Sequence, residues 1–459
     1  MGETKRTAPP SLVRGLGPWD GTLITIGSVL GSAIFIAAAD VPRAVPHAGL
    51  VLLLWILGGL LTIAGALTYA ELGAMFPKAG GQYHFLKEAY GPFWGFLFGW
   101  ASFLVIMSGG LAALAAGFGA YLGSFLPFFS TENVLVVLPL GRWSWAVNGG
   151  QLAGALALAF LTAVNYVGVK QGALFQNALT LLKVGSIVVL AVAGLFAPAH
   201  ARPDLFAPLP AGGLLTALGV GMIAVFWSYD GWYGVTNVAG EMREPGRDLP
   251  RSLLRGTLAV MILYLVTNAV YLRALPVEDM AASARIGERA AAVLFGPFGA
   301  QLVSAAVILS IFGCLSSTIL WAARIYLPMA EDRVFFRSLA RIHPRYRTPA
   351  TSIVAQGAWA IALTFSGTYE QLFTYVIFAV FLFHAATGAA VFVLRRARPD
   401  APRPYRVRAY PVLPLVFTLT SLAFVANTLV ERPKESGVGL LLLALGVPAY
   451  LWWRRKETA

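Results

Sequence analysis

Three apolar stretches of this 459-residue chain carry side chains and backbone able to do chemistry where lipid-like surroundings are expected. The first is residues 24–40, ITIGSVLGSAIFIAAAD, with Gly27, Ser28, Gly31, Ser32, Ala33 and Ile34 at its centre. Glycine costs about 1 kcal/mol in a helix interior relative to alanine, so this run predicts a helix that breaks at its midpoint. Unwound backbone is tolerated in lipid only where protein or a water-filled cavity surrounds it. The freed N–H groups at the start of the second half-helix, at its positive dipole end, suit a carboxylate or another anion. The competing reading is a small-residue face packed closely against another membrane helix.

The second stretch is 221–241, GMIAVFWSYDGWYGVTNVAGE, which puts Ser228, Asp230 and Gly231 in mid-run. A charge there is expensive and usually faces a cavity or a partner. Asp230 before Gly231 also reads as an N-cap for a new half-helix, so the helix is expected to stop near Trp227 and restart after Asp230. The carbonyls that end the first half would present partial negative charge to an ammonium group. Tyr233 follows one turn on, either lining the site or packing in the core.

Lys183, in NALTLLKVGSIVV, is the third. An isolated ammonium at that depth costs several kcal/mol, so a hydrogen-bonding partner is expected; it lies too far from either end to snorkel comfortably. Ser310, Cys314 and Ser317 recur at i, i+4 and i+7 and share one helical face. His384 sits inside another apolar run, as a packing residue or a proton relay. Glu71 and Glu241 close apolar runs and read as partners of Arg243, Arg247 or Arg251.

The elements that must position these groups follow from composition. The chain is 58% hydrophobic and 12% charged, against about 45–50% and 25% in soluble domains, which makes it a polytopic membrane protein. Its formal charge of +13 does not point to nucleic acid. The arginines cluster between apolar runs, as cytoplasmic loops do beside an anionic leaflet. One cysteine, Cys314, leaves no internal disulfide. The histidines lack metal-ligand spacing; no phosphate loop for ATP appears; no nucleophile–base pair suggests an enzyme. No cofactor is expected.

Reading apolar runs of about twenty residues gives about twelve spans. The first is Trp19–Ala39, the second Gly49–Met75, and the third ends near Tyr121. A polar loop with Arg142 leads to the fourth, Val147–Val167. The fifth to eighth are Ala173–Ala197, Leu214–Glu241, Leu253–Leu275 and Ala300–Ala330. The last four are Thr351–Ser366, Leu372–Leu394, Leu413–Leu429 and Gly437–Trp453. The basic loops, with Arg333, Arg337, Arg341, Arg345 and Arg347 in one and Arg395, Arg396, Arg398, Arg403, Arg406 and Arg408 in another, place both termini in the cytoplasm. Residues 1–15, with Lys5, Arg6 and Arg14, and 454–459 are then cytoplasmic tails, in a multi-pass protein of the cell membrane. Spans one and six, both interrupted, lie five apart. That spacing predicts two inverted repeats, 16–197 and 211–394, followed by two extra helices over 408–453; paired breaks of this kind point to a transporter's midplane site. N–H groups on one break and carbonyls on the other fit an α-amino acid zwitterion.

At this point the chain resembles the amino acid–polyamine–organocation superfamily, within it the L-type amino acid transporter branch in its prokaryotic form. The likeness runs through IGSVLGSAIF, TYAELGAMFPKAGGQYHFLKEAYGP, WSYDGW with GEMREPGRDLP, LSIFGCLSSTILWAARIYLPMAEDR and RIHPRYRTP, in that order. It implies a LeuT-like all-α fold and sodium-independent amino acid transport, often as exchange. The family's Gly-Ser-Gly signature falls on Gly31, Ser32 and Ala33, with Ala33 departing from the last glycine and narrowing the site. Its ammonium-binding carbonyls fall on Trp227, Ser228 and Asp230, and Trp227 holds the place of an aromatic gate. The branch that admits cationic substrates resembles the WSYDGW spelling, which gives Asp230 a second reading beside helix capping. The lysine matching Lys183 stands where sodium-coupled relatives hold the ion; by analogy it ties span five to carbonyls near Gly27 and to polar groups of span eight.

The reading is therefore an exchanger of neutral L-amino acids working by alternating access. The alternatives are a proton-coupled or exchange transporter of cationic amino acids, and a sensor that binds the ligand without moving it. Animal members of the branch disulfide-link to a heavy subunit through a cysteine between spans three and four; Gly123–Ala146 has none, so covalent pairing of that type is not expected.

Overall fold

The computed structural model describes residues 12–140, 143–167, 169–209, 213–366, 369–431 and 433–458. Lys5, Arg6 and Arg142 lie outside the described residues. Among the described residues nine helices are long and apolar enough to cross a membrane, and they fall on the second, third, fifth to eighth and tenth to twelfth expected spans. The fourth and ninth, Gly149–Tyr166 and Ala350–Thr364, are shorter helices, and the first is broken into pieces. The architecture is all-helical and polytopic. Helices eight and ten are 72% buried while five and twelve are 28% buried, so the former line the interior and the latter face the lipid.

Local chemistry sets the helix starts. Pro18 opens span one, where its missing N–H is no loss, and the Asp20 carboxylate accepts from the Gly17 N–H at 2.8 Å. Asn148 and Gln151 form a reciprocal cap at the start of span four, with bonds of 2.9 and 3.1 Å. The linker after span two carries a short helix, Gln82–Tyr90, entered through Gly81 at φ +38°. A Cβ at Gly81 would lie 2.5 Å from the Thr236 hydroxyl, so glycine lets the linker dock against the second half of span six.

Several expectations need correction. Between spans three and four the chain forms a two-stranded hairpin, Val134–Leu140 with Trp143–Asn148, rather than a plain polar loop; its Val and Trp content suits strands. Span three contains a π-helical turn at Ser102–Ile106. Helical residues precede span eight from Ile286, joined through a kink at Gly296, φ +71°. The twelfth span is two helices, Pro433–Ala444 and Gly446–Thr458. Glu241 pairs with Arg324 of span eight, both buried, its Oε2 accepting from Nη2 at 3.1 Å. Glu71 takes a two-pronged bond from Arg395, 2.9 and 2.7 Å, and a further one from the Val407 N–H at 2.7 Å. Neither acid pairs with Arg243, Arg247 or Arg251 in any recorded bond. Both close contacts between distant helices that local sequence does not encode.

Candidate functional site

Span one is α-helical only over Pro18–Val29. Leu30 takes an extended conformation, two 3-10 turns follow (Ala33–Phe35 and Ala37–Ala39), and a short helix ends at Ala44. Among the described residues no acceptor is recorded for the backbone N–H groups of Gly31, Ser32 and Ala33. The Ser32 hydroxyl, buried, likewise has no partner. Span six stops at Tyr229; Asp230 is extended, Gly231 has φ +97°, and the chain resumes as a 3-10 helix, Trp232–Glu241. Both breaks fall at the expected residues. The expected N-cap does not form: Gly231 holds the cap position, and the second half makes no side-chain cap bond. The positive φ suits glycine, and the turn leaves the Asp230 carboxylate aimed elsewhere.

The two breaks touch. A Cβ added at Gly231 would lie 2.8 Å from the Ser28 carbonyl oxygen. Tyr264 of span seven binds both: its hydroxyl lies 3.2 Å from the Val29 carbonyl and 2.8 Å from that of Ser228. Seven residues on, the Tyr271 hydroxyl donates to the Ile34 carbonyl at 3.2 Å. Reading the sequence missed both tyrosines; their i, i+7 spacing on one helical face was the available signal. Trp321 was missed as well, and its indole N–H donates to the Ser28 hydroxyl at 3.0 Å.

Between the breaks lies a cavity of about 60 Å³. Ser28, Gly31, Ser32 and Ala33 line it from one side and Trp227, Asp230 and Tyr233 from another, with Cys314 and Trp321 of span eight and Met107 of span three closing it. Of the residues singled out from sequence, Gly27, Ile34, Ser228, Lys183, Ser310 and Ser317 stand behind this lining. A space of this size admits several waters, and so a small solute.

Behind the first break, the buried Lys183 ammonium donates to the carbonyls of Gly27 at 2.6 Å and Leu30 at 2.7 Å. Span eight grips the same strand of backbone. Ser310 donates to Leu30 at 3.1 Å, Cys314 lies 3.0 Å from the Ser28 carbonyl, and the Ser317 hydroxyl is 2.9 Å from that of Ser28. Lys183 and the three polar residues of span eight thus meet on the span-one backbone, and no bond between them is recorded among the described residues.

Asp230 borders a second, smaller cavity on its far side, walled by Thr62, Phe226, Trp232, Phe381, His384 and Phe417. There His384 Nε2 stands 3.9 Å from the carboxylate and Nδ1 2.7 Å from the Tyr69 hydroxyl. No group of three or more metal-ligating residues occurs among the described residues.

The amino acid permease family model matches residues 16–447. The serine/threonine exchanger SteT of Bacillus subtilis is 30% identical over 442 residues, 95% of this chain and 96% of its own length. The human b(0,+)-type amino acid transporter 1 is 29% identical over 461 residues, covering 97% and 90%. The human large neutral amino acids transporter small subunit 2 is 28% identical over 442 residues, covering 94% and 79%. The chain belongs to the amino acid permease family, and is a membrane transporter rather than an enzyme.

Proposed function

We propose that this amino acid permease is a sodium-independent exchanger of small neutral L-amino acids, held between the breaks of spans one and six. One observation carries the reading: two interrupted helices meet around a small cavity, one offering N–H groups without recorded acceptors and the other ending in carbonyls. The carboxylate would lie on the N–H groups of Gly31, Ser32 and Ala33 with the Ser32 hydroxyl beside them. The ammonium would lie at the Trp227 end of span six, whose carbonyls have a second lone pair free even where one bond is made. Trp227 would close over the ligand, and Tyr233 would bound it from below.

Size supports small substrates. The cavity is small, Ala33 adds a methyl group where the family signature has glycine, and one relative is a serine/threonine exchanger. The Lys183 ammonium supports independence from sodium. It supplies a fixed positive charge to the two carbonyls, Gly27 and Leu30, that an alkali cation would otherwise have to satisfy.

Alternating access would follow from the repeats proposed over 16–197 and 211–394, spans one, two, six and seven rocking against three, four, eight and nine. Tyr264 of span seven, bonded to both breaks, would carry them as one body. Both termini would be cytoplasmic. Pairing through a disulfide with a heavy subunit is not part of the proposal, since Cys314 is buried inside span eight.

A second reading, transport of cationic amino acids, is favoured by one observation: the Asp230 carboxylate borders the cavity and caps no helix. Counterflow in proteoliposomes tests the first. Labelled serine should enter only when unlabelled small amino acid is inside, equally with or without sodium. Binding without flux would mean a sensor, and a strict sodium requirement would remove the role given to Lys183.

A further inference from the structure

His384 does not line the substrate cavity, yet it stands behind Asp230 in a wholly buried setting. Its two ring nitrogens face different partners. Nε2 points to the Asp230 carboxylate at 3.9 Å, and Nδ1 meets the Tyr69 hydroxyl at 2.7 Å. Where the Tyr69 hydroxyl donates to Nδ1, a neutral ring carries its proton on Nε2, toward the acid. A second proton can enter only at Nδ1, with the Tyr69 hydroxyl turning from donor to acceptor.

We infer that protonation of His384 at Nδ1 sets the charge class of amino acid the site accepts. This deepens the proposed function and rests on it. With a neutral ring, Asp230 leaves one uncompensated negative charge at the cavity wall, which favours a substrate with a cationic side chain. With the imidazolium, acid and base cancel, and a neutral zwitterion is favoured.

The groups facing this pair are few. Tyr69 of span two and Tyr233 of span six flank the ring, and Trp232 stacks on it with centroids 5.5 Å apart. Phe417 of span eleven covers another side. From span eight Cys314 shares the cavity with Asp230, with the Lys183 ammonium behind it. Gln82, on the helix of the linker after span two, bonds the Thr387 hydroxyl at 2.8 Å and the Phe383 carbonyl at 3.0 Å. Tyr69 and Thr387 thus mark a polar line from His384 toward that linker. Asp230 is the nearest acid, its carboxylate 3.9 Å from Nε2.

The experiment is arginine and serine counterflow into proteoliposomes of the intact protein, each from pH 5.5 to 8. The ratio within one preparation does not depend on how much protein is active. The arginine-to-serine ratio should rise about tenfold with pH, within the range of common coupling between two sites. His384→Asn should flatten the ratio across that range. Tyr69→Phe, which removes only the hydroxyl, should move the midpoint while keeping the rise. A flat wild-type ratio, or an undiminished pH dependence in His384→Asn, overturns the inference while leaving the exchanger intact. Absence of counterflow for every amino acid at every pH would instead sink the proposed function.

Discussion

Tyr264→Phe is the sharpest perturbation the site offers. The substitution keeps a ring packed edge-on against Trp55, with centroids 5.3 Å apart, and beside Tyr229 at 5.1 Å. It deletes one hydroxyl, which serves the carbonyls of Val29 and Ser228. A buried acceptor left unmet costs about 1–3 kcal/mol; the hydroxyl has one proton to share between the two carbonyls, so the penalty is placed at the upper part of that range, about 2–3 kcal/mol. If half of that falls on the state in which the breaks are joined around substrate, exchange drops about tenfold, at about 1.4 kcal/mol per decade. Tyr271→Phe is the internal control. It removes one bond, to the Ile34 carbonyl, and should slow exchange less than about fivefold. The assay is the initial rate of serine counterflow, with melting in detergent to confirm folding. Tyr264→Phe exchanging within twofold of wild type, or Tyr271→Phe proving the more damaging, would refute the reasoning.

Other substitutions probe the remaining contacts. Lys183→Met keeps the length of the side chain but removes the ammonium from Gly27 and Leu30; a bond to a charged donor is worth about 1.5–3 kcal/mol, so exchange should fall at least about tenfold in protein that still elutes as a folded species. Gly231→Ala forces a side chain into φ +97° and onto the Ser28 carbonyl; it should cost about 2 kcal/mol or more and abolish counterflow, whereas Gly185→Ala, inside a helix with open space around it, should leave the rate unchanged and raise melting slightly. Glu241→Gln strands the buried Arg324 guanidinium without its acid, a loss of about 3–5 kcal/mol visible as a lower melting temperature. Adding Arg324→Met should restore part of it.

The breaks were legible because glycine and serine in an apolar run, and Asp-Gly in another, conflict with continuous helix on local grounds alone. Gly31, Ser32, Ala33, Trp227 and Asp230 border the cavity as their positions suggested, and the Lys183 ammonium found the Gly27 carbonyl. Asp230 was misread as a cap because Asp-Gly permits either a cap or a left-handed turn, and only packing against Ser28 decides between them. Tyr264 and Tyr271 went unnoticed since a tyrosine in a membrane helix is commonplace until the carbonyls it meets are known. The same holds for Glu71 with Arg395 and Glu241 with Arg324. Those pairs join residues far apart in the chain, and proximity along the sequence pointed to Arg243, Arg247 and Arg251 instead. The hairpin of Val134–Leu140 with Trp143–Asn148 was lost inside a segment judged by its polarity rather than by its valines and tryptophans.

The central claim is that one amino acid bridges two interrupted helices, and a density map of the protein bound to L-serine in lipid tests it most directly. The account predicts the carboxylate within hydrogen-bonding distance of the Gly31–Ala33 backbone and the ammonium at the carbonyl end of span six near Trp227. Serine density elsewhere, or an unbroken helix through either place, would contradict it.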